Sequence, residues 1–246
     1  WREELDGRGR REPALRLWSG QSRGLEGETE AASTGYAIRR IAERVMAAPG
    51  EIDLVCIGPL TNIALALKAY PEVVAAVRSI VVMGGAVALP GSGNELNFCY
   101  DPEAAQVVLA SGAPVIVVPL DITRTTFFTP QDNAPLLASD DPAVRAVAEA
   151  AAPWSEWVRT ERGPKGCHLH DPLAVAIAID PSLATTRRMG VAVELAGQHG
   201  RGRLTTWIPE ARPLRPDRRA PQARADIVQS IDTERFHGRL GALLGA

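Results

Sequence analysis

Residues 52–67 read Ile52-Asp-Leu-Val-Cys-Ile-Gly-Pro-Leu-Thr-Asn-Ile-Ala-Leu-Ala-Leu67. The apolar run Ile52–Ile57 predicts a strand, and Gly58-Pro59 closes it. Thr61 is then placed to cap a helix through Ile63, Leu65, Ala66 and Leu67, which ends near Tyr70-Pro71. The same grammar repeats downstream. Ser79–Met83 is a second apolar run, stopped by Gly84-Gly85, and Val115–Leu120 is a third. Between them Asp101-Pro102-Glu103 opens another helix, with proline at its first position and acid in its first turn. Strand, helix, strand, helix, strand predicts an α/β fold with a mostly parallel sheet and helices on both faces. The strands are apolar throughout rather than alternating, as burial of both faces requires. In such sheets ligands bind beyond the carboxyl ends of the strands. The turns at Gly58, Gly84 and Asp121 all fall on that edge.

Outward from this centre, Ser33 or Thr34 can cap a helix carrying Ala37, Ile38, Ile41, Val45 and Met46, ended by Pro49-Gly50. Residues 1–30 are polar and read as loop. Residues 130–180 read as helical. Asp141-Pro142 opens one helix, with Trp154 and Trp157 near its end or just beyond it. Asp171-Pro172 opens another, which runs from Leu173 to Ile179 and stops at Asp180-Pro181. Val191–Leu195 reads as strand, 209–224 as a basic loop, and Asp232–Leu244 as a terminal amphipathic helix.

Bulk properties exclude several classes. The chain has 246 residues, 46 % hydrophobic and 23 % charged, with a net charge of −2 and a pI near 6.1. That is enough chain for one large α/β domain. It offers no electrostatic argument for a nucleic-acid partner. No apolar stretch is long enough to span a bilayer. Cys56, Cys99 and Cys167 are odd in number and widely spaced, which predicts buried free thiols in a reducing cytoplasm. No Gly-x-Gly-x-x-Gly follows a strand with an acid at the right distance, which argues against a nucleotide-cofactor oxidoreductase.

Three polar groups stand out. His170-Asp171-Pro172 lies at a loop-to-helix junction, where Asp171 can simply cap the helix or, with His170 as an acid, act as a metal ligand. Asn94-Glu95-Leu96-Asn97 concentrates amide and carboxylate groups on the ligand edge, a chemistry suited to vicinal hydroxyls, although such a segment is also an ordinary polar loop. Backbone carbonyls after the first strand can ligate a hard cation.

Taken in order, Gly58-Pro-Leu-Thr-Asn-Ile-Ala-Leu-Ala-Leu67, Val82-Met-Gly-Gly85, Glu95-Leu-Asn97 with Asp101-Pro-Glu-Ala-Ala105, Pro119-Leu-Asp121 with Thr123, and His170-Asp-Pro-Leu-Ala174 resemble the inosine-uridine type nucleoside hydrolases. The tail, with Arg201-Gly202 and Ile231-Asp-Thr-Glu-Arg-Phe236, fits the same pattern. The resemblance runs from about Ser33 to the C-terminus. It implies hydrolysis of the N-glycosidic bond of ribonucleosides through an oxocarbenium-like transition state, with Ca²⁺ as the cofactor. By motif it makes His170 the acid that protonates the leaving base. It makes Glu95 and Asn97 partners of the ribose hydroxyls, Met83 an apolar contact at the sugar, and Asp171 and the Ile57 carbonyl calcium ligands. Trp154 and Trp157 become candidates for stacking on the base, with core packing as the alternative. A cytoplasmic homodimer or homotetramer is implied as well.

The pattern departs from the family in two places. The loop from Met83 to Glu95 is short, and Asn94 stands out of register with the asparagine the family often carries there. The family also opens with an Asp-x-Asp-x-x-x-Asp-Asp segment that supplies calcium ligands and the general base, and nothing like it occurs here. The resemblance therefore implies a single nucleoside hydrolase-like domain over 1–246, incomplete at its N-terminus, that alone holds Ca²⁺ poorly and hydrolyses nucleosides negligibly. A non-catalytic nucleoside- or sugar-binding or subunit-interaction protein is the alternative.

Overall fold

The computed structural model describes residues 36–88, 94–161, 166–208 and 223–244. These fall into two compact units, one built from 34–126 and 169–236, the other from 127–168 with the C-terminal residues from 237.

The first unit holds a six-stranded sheet. Its strands are β1 (Asp53–Cys56), β2 (Ser79–Met83), β3 (Val115–Val118), β6 (Ala184–Val193), β7 (Leu204–Trp207) and β8 (Arg224–Ile231). They lie in the order β1-β2-β3-β8-β6-β7. The pairs β1/β2, β2/β3 and β3/β8 are parallel, whereas β8/β6 and β6/β7 are antiparallel. The three apolar runs thus form the parallel core as predicted. The strand read at Val191–Leu195 is the end of a longer one, which begins at Ala184.

Helices α1 (Ala37–Ala47), α2 (Thr61–Ala69), α3 (Val73–Ala76) and α5 (Pro102–Leu109) pack with one another. Ala42, Val45, Ala64, Leu67, Val73, Ala105 and Val108 from this layer share one apolar cluster with Ile80, Val82, Val115, Val117 and Ile227 of the sheet. Alternate side chains of a strand point to opposite faces. Val81 and Met83 therefore face away from that cluster. Helix α9 (His170–Ile179) packs on β1 and β2 and buries Leu173, Ala174 and Ile177, so the sheet is covered on both faces.

Two short helices lie on the carboxyl edge, α4 (Leu96–Tyr100) and α6 (Leu120–Thr123). A single 3₁₀ turn, Pro181–Leu183, links α9 to β6, and α10 (Thr233–Leu244) follows β8. In the second unit α7 (Pro130–Leu137) packs on α8 (Pro142–Glu161), and β4 (Phe127–Phe128) pairs antiparallel with β5 (Cys167–His168). Thr129 and Asp132 form a capping box on α7, and the Asp141 carboxylate accepts the Ala143 N–H at 2.8 Å to open α8.

Several local expectations change. Thr61 does not cap α2. Leu60 is the N-cap, and the Thr61 hydroxyl donates instead to Asp101, whose other oxygen caps α5 at Ala104 N. Tyr36 is the N-cap of α1 and gives no side-chain bond, and Ser33 and Thr34 lie outside the described residues, as does the N-terminal loop. Asp171 sits inside the first turn of α9, and Leu169 is the N-cap. Trp154 and Trp157 lie within α8, stacked on each other at 5.0 Å. Arg224, assigned to the basic loop, begins β8, while 209–222 lie outside the described residues. The three thiols are free, but only Cys56 is buried as expected, whereas Cys99 and Cys167 are half-buried.

Candidate active site

The carboxyl edge is organised by the turn after β2. Gly85 has φ +71, and a Cβ there would lie 2.7 Å from Leu204 Cδ2. At Gly84 a Cβ would lie 2.4 Å from Phe98 Cε1. Two residues without side chains let the backbone lie directly on the Phe98 ring. That close approach aims Gly85 N–H at the Glu95 carboxylate, which accepts it at 2.9 Å. The Gly85 carbonyl accepts Leu120 N–H at 2.8 Å, joining the turn after β2 to the turn after β3. The Asp121 carboxylate strengthens that joint by accepting Val87 N–H and Ala88 N–H, both at 2.7 Å.

Glu95 is 5 % exposed and serves as the N-cap of α4. Besides Gly85 it accepts Asn97 N–H at 2.8 Å and Phe98 N–H at 3.1 Å. A carboxylate has about four acceptor positions, so three amides leave about one open for a ligand. Burial pushes the Glu95 carboxyl up from its ordinary range, the three amides pull it down, and the nearby Asp171 carboxylate adds to the upward push. Burial also pushes Asp171 up. The fold thus brings Glu95 and Asp171 within electrostatic reach, although they are 76 positions apart (171 − 95).

Asn97 donates through Nδ2 to the Met83 carbonyl at 3.0 Å, with Met83 Sδ at 3.5 Å. This bond fixes the amide plane and turns Oδ1 away from the strand end. Met83 itself is 4 % exposed and offers a ligand little surface. His170 opens α9, and its Nδ1 lies 2.7 Å from Thr123 Oγ1. Thr123 is fully buried, and its hydroxyl is 3.4 Å from the Leu120 carbonyl. A buried hydroxyl at Nδ1 sets ring orientation and tautomer. The Thr123 hydroxyl donates to the Leu120 carbonyl, so Nδ1–H donates to Thr123 Oγ1, and the acid form of the ring carries its second proton on Nε2. Ile57 leaves β1 on the same edge and is 47 % exposed.

His170, Asp171, Glu95, Asn97 and Met83 therefore share one edge with the exit of β1 at Ile57. Trp154 and Trp157 belong to the other compact unit. Sequence reasoning did not assign roles to Thr123, Asp121 or Phe98. Thr123 and Asp121 did lie within a quoted motif, but only the fold pairs them with His170 and the Val87-Ala88 backbone.

The fit to Ca²⁺ can be judged from the donors. Such an ion takes about six to eight oxygens. Among the described residues no three His, Cys, Asp or Glu side chains converge as a metal group. Asp171 and the Ile57 carbonyl do not by themselves make a calcium site, and Glu95 has spent most of its acceptor capacity on the backbone.

The fold and site define a class: an α/β protein whose parallel strands end in a polar edge of one imidazole, two carboxylates and an oriented amide. The family model of the inosine-uridine preferring nucleoside hydrolases matches residues 7–238, and the chain belongs to that family. It is 35 % identical over 178 residues to the pyrimidine-specific ribonucleoside hydrolase RihA of Citrobacter koseri, covering 70 % of this chain and 56 % of that protein. The chain thus spans little more than half the length of that relative. Among solved structures, a plant nucleoside hydrolase, PpNRh1, superposes with a TM-score of 0.85 at 26 % identity, covering 97 % of this chain and 77 % of that one. The purine-preferring ribonucleoside hydrolase from Gardnerella vaginalis gives 0.76 at 31 % identity, covering 88 % and 69 %.

Proposed function

We propose that this chain is the substrate-binding and acid-bearing part of a ribonucleoside hydrolase, which cleaves the N-glycosidic bond to give ribose and free base. The observation that carries this reading is the His170 ring, held at Nδ1 by buried Thr123 at 2.7 Å on the same edge as Glu95, Asn97 and Asp171. Departure of the base leaves electron density on its nitrogen, and the His170 Nε2 proton neutralises it. The open acceptor position on Glu95 and the outward Asn97 Oδ1 take ribose hydroxyls. They hold the sugar while positive charge develops at its anomeric carbon. Met83 supplies a small apolar contact.

The family resemblance implies Ca²⁺ beside Asp171 and the Ile57 carbonyl. Because the described residues do not complete that site, we propose that the 246-residue chain alone hydrolyses nucleosides negligibly, at no more than a trace rate. We take both compact units as one nucleoside hydrolase-like domain, since the family match runs across both. A cytoplasmic homodimer or homotetramer follows from the same resemblance. No helix among the described residues is long and apolar enough to cross a membrane. RihA is named for pyrimidine nucleosides and the Gardnerella enzyme for purine nucleosides, so both bases belong in the test.

The test is chromatographic detection of free base from inosine and uridine, with and without added Ca²⁺, beside calorimetric titration of the same nucleosides. Slow release that His170→Ala cuts at least tenfold, with binding retained, is expected; general acids contribute about 10²–10⁴-fold. Binding with no release at all favours the non-catalytic reading. Neither binding nor release overturns both.

A further inference from the structure

The turn between β6 and β7 lies far from the ligand edge in sequence yet reaches the segment that carries Glu95. Arg201 in this turn grips Glu103 of α5 with two parallel bonds, Nη1 to Oε1 and Nη2 to Oε2, both 2.8 Å. Its Nη1 also donates to the Leu195 carbonyl at 2.8 Å, which closes the turn on itself. The turn is stiffened further. Glu194 accepts Ala196 N–H and Gly197 N–H at 2.9 and 3.1 Å, and Gly202 N–H donates to the Glu194 carbonyl at 2.8 Å. Gly202 has φ +85, and a Cβ there would lie 2.9 Å from Cys99 Cα, so the turn rests directly on α4. The backbone carbonyl of Arg201 is thereby held still, and it accepts Asn94 Nδ2 at 2.5 Å across 107 positions of sequence. Asn94 immediately precedes Glu95.

We propose that Arg201 is a positioning residue: its paired grip on Glu103 clamps the β6–β7 turn, whose carbonyl holds Asn94 and so fixes Glu95 and Asn97 for the ligand. The ligand role of Glu95 and Asn97 rests on the proposed function; the clamp itself does not. A planar guanidinium suits this task because its two donors match a carboxylate in one orientation only, which lysine does not reproduce. The out-of-register Asn94 thus has a use that needs no sugar contact.

The test is amide hydrogen exchange on the full 246-residue chain. The Gly85, Asn97 and Phe98 amides all donate to Glu95 and report its seating. An exposed but bidentate pair stands at the upper end for surface ion pairs. Arg201→Ala and Glu103→Gln are therefore each expected to speed exchange of the three amides about fivefold, with β1–β3 amides unchanged. The charge-exchanged pair Arg201→Glu with Glu103→Arg restores protection. Unchanged exchange in both single variants, or loosening that the exchanged pair fails to reverse, overturns the proposal. Where the unaltered chain binds or cleaves a nucleoside, Arg201→Ala raises Kd or KM by a similar factor and leaves kcat in place; a fall in kcat with KM unchanged overturns it. A chain that binds no nucleoside ends the functional reading, while the exchange measurement still decides the clamp.

Discussion

A methyl group placed on Gly84 enters the Phe98 ring. The added Cβ would stand 2.4 Å from Cε1, 2.8 Å from Cδ1 and 3.4 Å from Cζ, all atoms of that one side chain. Phe98 is fully buried and belongs to the main apolar cluster, so the ring has little freedom to withdraw. Overpacking of this kind costs about 1–3 kcal/mol. Phe98→Leu removes the ring edge and costs roughly 1–2 kcal/mol, less than the ~3–5 kcal/mol of full truncation to alanine. If the two effects were independent, Gly84→Ala with Phe98→Leu would lose about 2–5 kcal/mol. Because the clash is wholly with Phe98, the leucine makes room for the methyl and the methyl fills part of the space. The double variant should therefore lose no more than Phe98→Leu alone, a coupling of about 1–3 kcal/mol. Urea unfolding of the four proteins at neutral pH measures it. Gly85→Ala is the control. Its Cβ would meet Leu204 as well as Phe98, and its φ of +71 carries a left-handed penalty of about 1–2 kcal/mol that no change at Phe98 relieves. Additivity of Gly84→Ala and Phe98→Leu within about 0.5 kcal/mol would refute the claim that this ring dictates the glycine, and with it the account of how Gly85 N–H is aimed at Glu95.

Three further outcomes follow from other parts of the structure. The Arg78 guanidinium beside Asp53, with Nε at 2.9 Å and help from the Ser79 hydroxyl at 2.7 Å, holds the Asp53 carboxyl below its usual range. A depressed acid stabilises the fold above its unfolded pKa of about 3.9, and that gain disappears as pH falls through the lower folded value; Asp53→Asn should flatten the urea midpoint over that acid window. Thr123→Val keeps the shape but removes the partner of His170 Nδ1, so a loss of about 1 kcal/mol in stability is expected, together with a larger effect on kcat than on KM for any base release. Burial pushes the Cys56 thiol up to about 12, so Cys56 should be the last of the three cysteines alkylated by iodoacetamide at pH 8, as read by peptide mass spectrometry.

The parallel core was legible because β2 and β3 are largely buried and β1 runs Leu54-Val55-Cys56 after Asp53, so each strand carries a short apolar run that ends in glycine, proline or a helix start. Glu95 and Asn97 were legible as candidates because they lie in the segment after β2, and His170 and Asp171 because they open a helix. Strand β8 was not legible. It reads Arg-Ala-Asp-Ile-Val-Gln-Ser-Ile, broken by Asp226 and Gln229, and it follows a basic run. It nonetheless takes the place beside β3, pairing Ile116 with Asp226, and Asp226 meets Arg188 of β6 at 3.1 Å. Such pairing is decided by partners 38 and 110 positions from Asp226, which local periodicity does not record.

The cap at Thr61 failed for the same reason, because the hydroxyl has a better acceptor in Asp101 than in its own helix. By itself, then, the sequence determined the fold class, the sheet edge that carries the candidate groups and the identity of most polar groups there, because propensity and burial act on neighbouring residues. Only the tertiary structure decided how those groups are held: Thr123 at His170, three amides at Glu95, the Met83 carbonyl at Asn97. Hydrogen bonds choose partners by distance in space, and the chain must fold before that distance exists.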